Sequence, residues 1–264
     1  MSVIIFVGPT LKADEIKAAL ADATCRPPVT QGDVYRAARF APMAIGIIDG
    51  YFSGAPSVWH KEILWALSQG IPVYGSASMG ALRAAELHAF GMRGVGGIFE
   101  AYRDGRIEDD DEVAVMHGPA DMGYVPLSEP LVSIRATLEN AAKLGIVSAD
   151  FSQALIAIAK AQFFGRRTWE SLFTLAREHG LPAAGIDALT ASLDAVRVDQ
   201  KRQDGLAMLR EMAATLADPE PFRAAFRFER THFWDELAAR AAADEETSLE
   251  GGASAEQVTE ELRL

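Results

Sequence analysis

Three short runs without a polar interruption mark the first third of the chain: VIIFVGP (Val3–Pro9), MAIGIIDG (Met43–Gly50) and IPVYG (Ile71–Gly75). A strand with one wet face alternates apolar and polar residues. A run that is apolar throughout predicts a strand covered on both faces, as in a parallel sheet. Between these runs the spacing turns helical. LKADEIKAALA (Leu11–Ala21) predicts a helix with Thr10 as its N-cap. GDVYRAARF predicts a second, and TCRPPV between them a short further strand. SVWHKEILWALSQG (Ser57–Gly70) predicts a third helix, with Pro56 suited to its first turn and Gly70 to the position just past its end. Met79–Leu87 predicts a fourth. This alternation predicts an α/β fold, a parallel sheet flanked by helices, Rossmann-like or flavodoxin-like. Right-handed crossovers bring the strand ends to one edge, where ligands bind in such sheets. Three of those ends carry polar chemistry: Gly8-Pro9-Thr10, Asp49-Gly50, and Ser76 to Ser78.

After Gly97 the pattern changes. IFEAYRDGRIEDDDEVAVMHGP predicts a helix, an acidic loop and a strand ending at His117. From Leu127 the chain reads as almost all helix: LVSIRATLENAAKLG, FSQALIAIAKAQFF, TWESLFTLAREHG, LTASLDAVRVDQKRQDGLAMLREMAATLA and FRAAFRFERTHFWDELAARAA. The aromatic-rich PFRAAFRFERTHFWDEL (Pro221–Leu237) reads as core, with an interface as the alternative. DEETSLEGGASAEQVTEEL (Asp244–Leu262) reads as a solvated acidic tail. The expected organisation is an α/β core domain over 1–125, a helical lobe over 126–242 and a tail over 243–264.

Composition narrows the function classes. The net charge of −12 argues against nucleic-acid binding, which needs a basic footprint. No apolar run approaches the roughly 20 residues of a membrane helix, and MSVIIFVGP has no basic region of a secretory signal. A single cysteine, Cys25, excludes an internal disulfide framework and a multi-cysteine metal site. Cys25 reads as a small apolar residue, and a reducing cytoplasm is the expected compartment. Asp109-Asp110-Asp111 with His117 raises a metal site, but such a run reads more simply as a solvated loop. No metal and no cofactor are expected.

The junction YGSASMGALRAAEL (Tyr74–Leu87) carries the candidate chemistry. Ser76-Ala77-Ser78-Met79-Gly80 has the small-x-Ser-x-Gly pattern of a nucleophile elbow, with Ser76 in place of the usual first glycine. Small flanks permit a sharp turn, and the helix behind offers free N–H groups for an oxyanion. Two other readings stay open: Ser78 caps the helix, or the loop binds an anion. A nucleophilic serine needs a base and an orienting group. His60 and Lys61, in the first turn of the Ser57–Gly70 helix, are the first candidates for the base, with Asp49 as orienter and His117 as runner-up base. Their structural alternatives are a packed histidine, a surface charge, an Asp-Gly turn residue and a strand-end turn. Arg83 and Glu86 can pair on one helix face, and Arg83 is a candidate for binding a carboxylate. Asp49, Thr10, Ser76, Gly80 and Arg83 form the expected substrate-binding set. A nucleotide site at Gly8-Pro9-Thr10 and the Ser76–Gly80 loop lacks both phosphate-loop spacings.

Taken together, IFVGPTL, QGDVYRA, GIIDGYF with PSVWHKEILWALSQG, GSASMGALRAAEL with the following glycine-rich IFEAYRDG block, and DDDEVAVMHGP resemble the signature blocks of the TfuA-like family. These blocks span about residues 3 to 120, and RATLENA and VDQKRQDGLAML resemble the helical part of longer members. The resemblance implies a partner of YcaO enzymes in peptide backbone thioamidation, the pathway type of ribosomal peptide natural products. It implies sulfur delivery by hydrolysis of the C-terminal thiocarboxylate of a ubiquitin-like ThiS-type carrier, with the precursor peptide as a further partner. His60, Lys61, Ser78, Arg83 and His117 sit inside the matching blocks and carry the implication most strongly. The alternative is a non-catalytic module that recruits YcaO, the peptide or the carrier. The helical lobe is open to homo-oligomerisation, to docking YcaO, or to both.

Overall fold

The computed structural model describes residues 2–52 and 54–250. Five parallel strands form one sheet: β1 (Val3–Phe6), β2 (Ala23–Arg26), β3 (Ala44–Ile47), β4 (Val73–Ser76) and β5 (Arg93–Val95). Their spatial order is β2-β1-β3-β4-β5. This is the flavodoxin order, and it reverses direction between β1 and β3. Every residue of β1, β3 and β4 is buried, which is why these strands read as unbroken apolar runs. β5 has no such run. It is three half-buried residues, Arg93-Gly94-Val95, and the hydrophobic pattern does not predict it.

One face of the sheet is covered by α2 (Asp33–Arg39), α3 (His60–Ser68) and α4 (Met79–Leu87), packed on Ile4, Phe6, Ile45, Ile47 and Val73. The other face bears Val3, Ile5, Ile48 and Tyr74. α1 (Ala13–Ala19) covers part of it through Ile16, and the rest is covered by Met208, Leu209 and Met212. Those three come from α10 (Gln200–Ala217), a helix far along the chain. α5 (Gly97–Arg103) packs beside α4. α6 (Leu131–Lys143), α7 (Ala149–Ala161), α8 (Trp169–Glu178) and α9 (Ala183–Val196) enclose a separate apolar core.

The long helical stretch from Leu189 breaks at Arg197–Asp199. That break lets α10 leave the bundle and return to the sheet, where Asp199 caps it by accepting the Arg202 N–H at 3.0 Å. α11 (His232–Glu250) lies against α2, with Trp234 on Tyr35 and Trp65 at ring distances of 5.4 and 5.8 Å. The predicted tail therefore begins inside a helix, and 251–264 lie outside the described residues. Gly70 adopts φ 80° just past α3, as a helix-terminating glycine does. Thr10 does not cap α1: Lys12 holds that position, and the Thr10 side chain is engaged elsewhere. The strand predicted to end at His117 is a single antiparallel bridge, His117 to Pro126. Among the described residues no helix is long and apolar enough to cross a membrane.

One buried carboxylate ties two helix starts together. Glu62 accepts the Trp59 N–H at 3.1 Å and the Tyr35 N–H at 3.3 Å. Burial pushes its pKa from 4.5 to about 7 against those hydrogen bonds. A carboxyl with a raised folded pKa binds its proton more tightly when folded. Its stabilising contribution is complete below 4.5 and is lost as pH rises through 7. The size is about 3 kcal/mol at roughly 1.4 kcal/mol per pH unit. Denaturation midpoints measured from pH 5 to 8 should therefore fall more steeply for the wild type than for Glu62→Gln. Parallel slopes would sink the assignment.

Candidate functional site

The crevice between β1 and β3 lies at the carboxyl edge, where this strand order places a ligand. Here it holds a cavity of about 180 Å³ lined by Asp49, Tyr51, Ser78, His117, Phe164 and Lys201, among others. β3 delivers Asp49, β4 delivers Ser78, the loop after α5 delivers His117 and the first turn of α10 delivers Lys201.

The turn that carries Ser78 is sharp and strained. Ala77 has φ 64°, a region that L-residues rarely enter. The Ser78 N–H donates back to the Ser76 carbonyl at 2.8 Å, closing a three-residue turn of the strained hand. Ser76 is spoken for: its hydroxyl donates to the Val95 carbonyl at 2.7 Å and ties β4 to β5. Gly80 lets α4 start flush against β3, since a Cβ there would sit 1.8 Å from the Ile47 carbonyl oxygen. A Cβ on Gly75 would likewise sit 2.1 Å from the Gly80 oxygen. The two glycines and the strained alanine together stand the Ser78 side chain at the mouth of the helix.

Ser78 occupies the N-cap position of α4, yet its side chain makes no capping hydrogen bond. Only its backbone carbonyl engages the helix, accepting the Ala81 and Leu82 N–H groups at 2.9 and 3.3 Å. Gly80 N–H is taken by the Ile48 carbonyl at 3.3 Å. Among the described residues neither the Ser78 hydroxyl nor the Met79 N–H has a hydrogen-bond partner. A free hydroxyl beside a free N–H from the following residue is the donor arrangement of an elbow. The helix-cap reading of the Ser78 side chain is not supported.

His117 faces the same cavity. Its Nδ1 lies 2.9 Å from the Gly118 carbonyl oxygen. A carbonyl only accepts, so in the neutral ring the proton is on Nδ1 and Nε2 carries the lone pair. The ring is held between Tyr51 and Tyr124 at 5.8 and 5.6 Å.

Asp49 is buried and heavily bonded. Its Oδ2 accepts the Gly8 and Thr10 N–H groups at 2.9 and 3.0 Å, and Oδ1 accepts the Thr10 hydroxyl at 2.6 Å. The backbone N–H groups that a phosphate would need are thus filled by the protein's own carboxylate. This removes the nucleotide reading of Gly8-Pro9-Thr10 and leaves Thr10 as a partner of Asp49. The cation beside Asp49 is Lys201, whose Nζ is 3.6 Å from Oδ1. Lys201 is buried and donates to the Val113 carbonyl at 3.1 Å. Burial pushes its ammonium below the ordinary lysine range, and the Asp49 charge opposes that shift.

The structure does not bring His60, Lys61 or Arg83 to Ser78. His60 Nε2 meets Glu86 at 2.7 Å, and Arg83 meets the same carboxylate at 2.7 Å while donating to the Val58 carbonyl at 3.1 Å. Glu86 follows Ser78 by eight positions, roughly 12 Å along the helix axis at 1.5 Å per residue. Lys61 reaches the other way, to the Thr231 hydroxyl at 3.1 Å and over the Phe228 ring. All three tie surface elements together. The acidic run is solvated at Asp109 and Asp110 and anchored beyond them. Asp111 is held by Lys160 and by the fully buried Arg167, and Glu112 takes a two-pronged bond from Arg135 at 2.9 Å. Among the described residues no cluster of histidine, cysteine and acidic side chains suits a metal ion.

These features define a flavodoxin-ordered α/β protein with a serine on a strained strand-to-helix turn, inside a crevice closed by a histidine and a buried lysine. Residues 49–168 match the family model described as TfuA-like protein, and this part of the chain is TfuA-like. That match supports an association with the YcaO thioamidation system. No curated protein matches the chain. Asp49, Ser78 and His117 lie within the matched segment; Lys201 lies beyond it. Lys201 sits in VDQKRQDGLAML, where a lysine among charged neighbours reads as solvated. The available signal was the apolar spacing of Leu206, Met208, Leu209 and Met212, which turns one face of that helix inward.

Proposed function

We propose that the protein hydrolyses the C-terminal thiocarboxylate of a ubiquitin-like ThiS-type carrier and releases sulfide for a YcaO enzyme. The observation that carries this reading is the uncommitted Ser78 hydroxyl in a cavity shared with His117. In the first step Ser78 Oγ attacks the thiocarboxylate carbon and its proton passes to His117 Nε2. The oxyanion that forms is met by the Met79 N–H. The C–S bond breaks, and the sulfur takes the proton from the imidazolium to depart as hydrosulfide. Water then cleaves the acyl-serine ester, with His117 again accepting the proton, and the carrier leaves as a carboxylate.

A second reading, recruitment of YcaO, the precursor peptide or the carrier without chemistry, draws on the rim of the cavity. Met116, Met122, Val125 and Leu127 are exposed on the loop around His117, an apolar border suited to a protein partner. One assay separates the two. Purified protein incubated with a thiocarboxylated ThiS-type carrier should release sulfide. Ser78→Ala should reduce the rate by at least 100-fold, in line with loss of a nucleophile, with His117→Ala reduced less. Equal release by wild type and Ser78→Ala would remove the serine from the mechanism. No release from either, with YcaO present, would leave recruitment.

A further inference from the structure

The loop that carries His117 rests at both ends on one residue of the helical bundle, Arg167. The Arg167 guanidinium donates to the Asp111 carbonyl at 2.7 Å and to the Asp111 carboxylate, just before the loop. The Arg167 backbone carbonyl accepts the Glu129 N–H at 2.7 Å, just after it. Between these two feet the loop closes on itself. The Leu127 N–H donates to the Met116 carbonyl at 2.8 Å, and the Gly118 N–H to the Val125 carbonyl at 2.9 Å. His117 sits between those two bonds.

Arg167 suits this task by its place and its shape. It is fully buried beyond the end of α7, and its Nε donates to the Ala159 and Gln162 carbonyls at 2.9 and 3.1 Å. The last carbonyls of a helix lack partners within it and form the negative end of its dipole, so a cation is favoured there. A planar guanidinium has five donors in a fixed fork and serves α7 and Asp111 at once, which the point charge of an ammonium does not. The residues before Arg167 meet the loop as well. Phe164 lines the Ser78 cavity together with Met116 and His117. A Cβ on Gly165 would sit 2.7 Å from Met116 Cγ, so the chain between α7 and α8 runs directly against the residue before His117. We propose that this connection, residues 163–167, is the seat that holds His117 at the Ser78 cavity, with Arg167 as the positioning residue. The inference rests on the hydrolase reading above for the role of His117. It adds a residue of the helical lobe that acts on the chemistry through the histidine alone.

The test pairs turnover with hydrogen–deuterium exchange of the loop, residues 112–128, in the full chain. Gly165→Ala pushes on Met116 and removes no hydrogen bond; its other close neighbour, the exposed Phe163 ring, can swing away. The variant is expected to lower kcat for sulfide release from the thiocarboxylated carrier by about 10-fold or more with KM unchanged, the effect of a misplaced catalytic group. The Gly118 and Leu127 amides should exchange faster, while those of α7 and α8 keep their rates. Adding Met116→Ala removes the atom that is pushed, and should return both readouts to those of Met116→Ala alone. Arg167→Lys keeps the charge and loses the fork, and should act in the same direction as Gly165→Ala. Unchanged kcat and unchanged loop exchange in both variants overturn the proposal. A loss that Met116→Ala does not rescue, with faster exchange across α7 and α8, also overturns it, since the connection would then only hold the bundle together. A rise in KM at constant kcat would make the connection a binding surface and overturn it too. If the wild type releases no sulfide, the hydrolase reading falls and loop exchange alone decides the seat: rescue by Met116→Ala keeps it, and equal exchange in all variants removes it.

Discussion

Gly80→Ala should be the most damaging glycine-to-alanine change among the described residues. The added carbon would sit 1.8 Å from the Ile47 oxygen and 2.6 Å from the Ile47 carbonyl carbon. Both are backbone atoms of the central strand β3, which is buried at every position and paired on both sides, so neither can swing aside. Relief requires α4 to lift from the sheet, which also pulls on the Gly80 N–H bond to Ile48 and on the turn at Ala77. Overpacking a core costs about 1–3 kcal/mol where side chains can adjust. Here none is available, and a loss on the order of 4 kcal/mol is expected, a large part of a typical domain's stability. Gly97→Ala is the control. Its nearest new neighbour would be the Gln200 amide nitrogen at 3.6 Å, in ordinary contact, and it lies in a helix where alanine is favoured. Urea denaturation of the two variants checks the contrast. A Gly80→Ala midpoint close to that of the wild type would mean that helix and strand do not meet this closely, and the geometric basis of the elbow would go with it.

The parts of the fold legible in the sequence are those where one physical signal dominates. β1, β3 and β4 are covered on both faces, so their apolar runs stand out, and the turn residues that follow them mark the carboxyl edge where Asp49 and Ser78 were expected. Composition alone could not choose between a capping and a free Ser78. That depends on side-chain direction, which here follows from the strained turn at Ala77. His60 looked close to the site because its helix follows β3. Nine residues lie between Gly50 and His60, and that length carries the helix start to the flank of α4, beside Glu86. Lys201 was illegible for the opposite reason. Its neighbours are polar, and only the return of α10 to the sheet buries it. A local pattern cannot announce a contact made across the whole chain.

That long-range contact makes the second large effect. Asp49→Ala should remove the carboxylate that pairs with Lys201, and also the acceptor of the Gly8 and Thr10 N–H groups. Breaking a buried pair by deleting one partner costs about 3–5 kcal/mol, because a charge is left without compensation. The two parts of that loss can be separated. Adding Lys201→Met to Asp49→Ala removes the stranded charge but leaves the two N–H groups unsatisfied. The double variant should therefore be more stable than Asp49→Ala alone, although it carries one more substitution. The pH dependence gives an independent check. Lys201 has a folded pKa below its ordinary 10.5, and losing Asp49 lowers it further. A base with a depressed folded pKa binds fewer protons when folded, so stability rises with pH up to the unfolded value. Asp49→Ala should recover stability relative to wild type between pH 7 and 10, and the double variant should not. Additive single losses with no pH-dependent recovery would mean that the two charges do not share a desolvated environment.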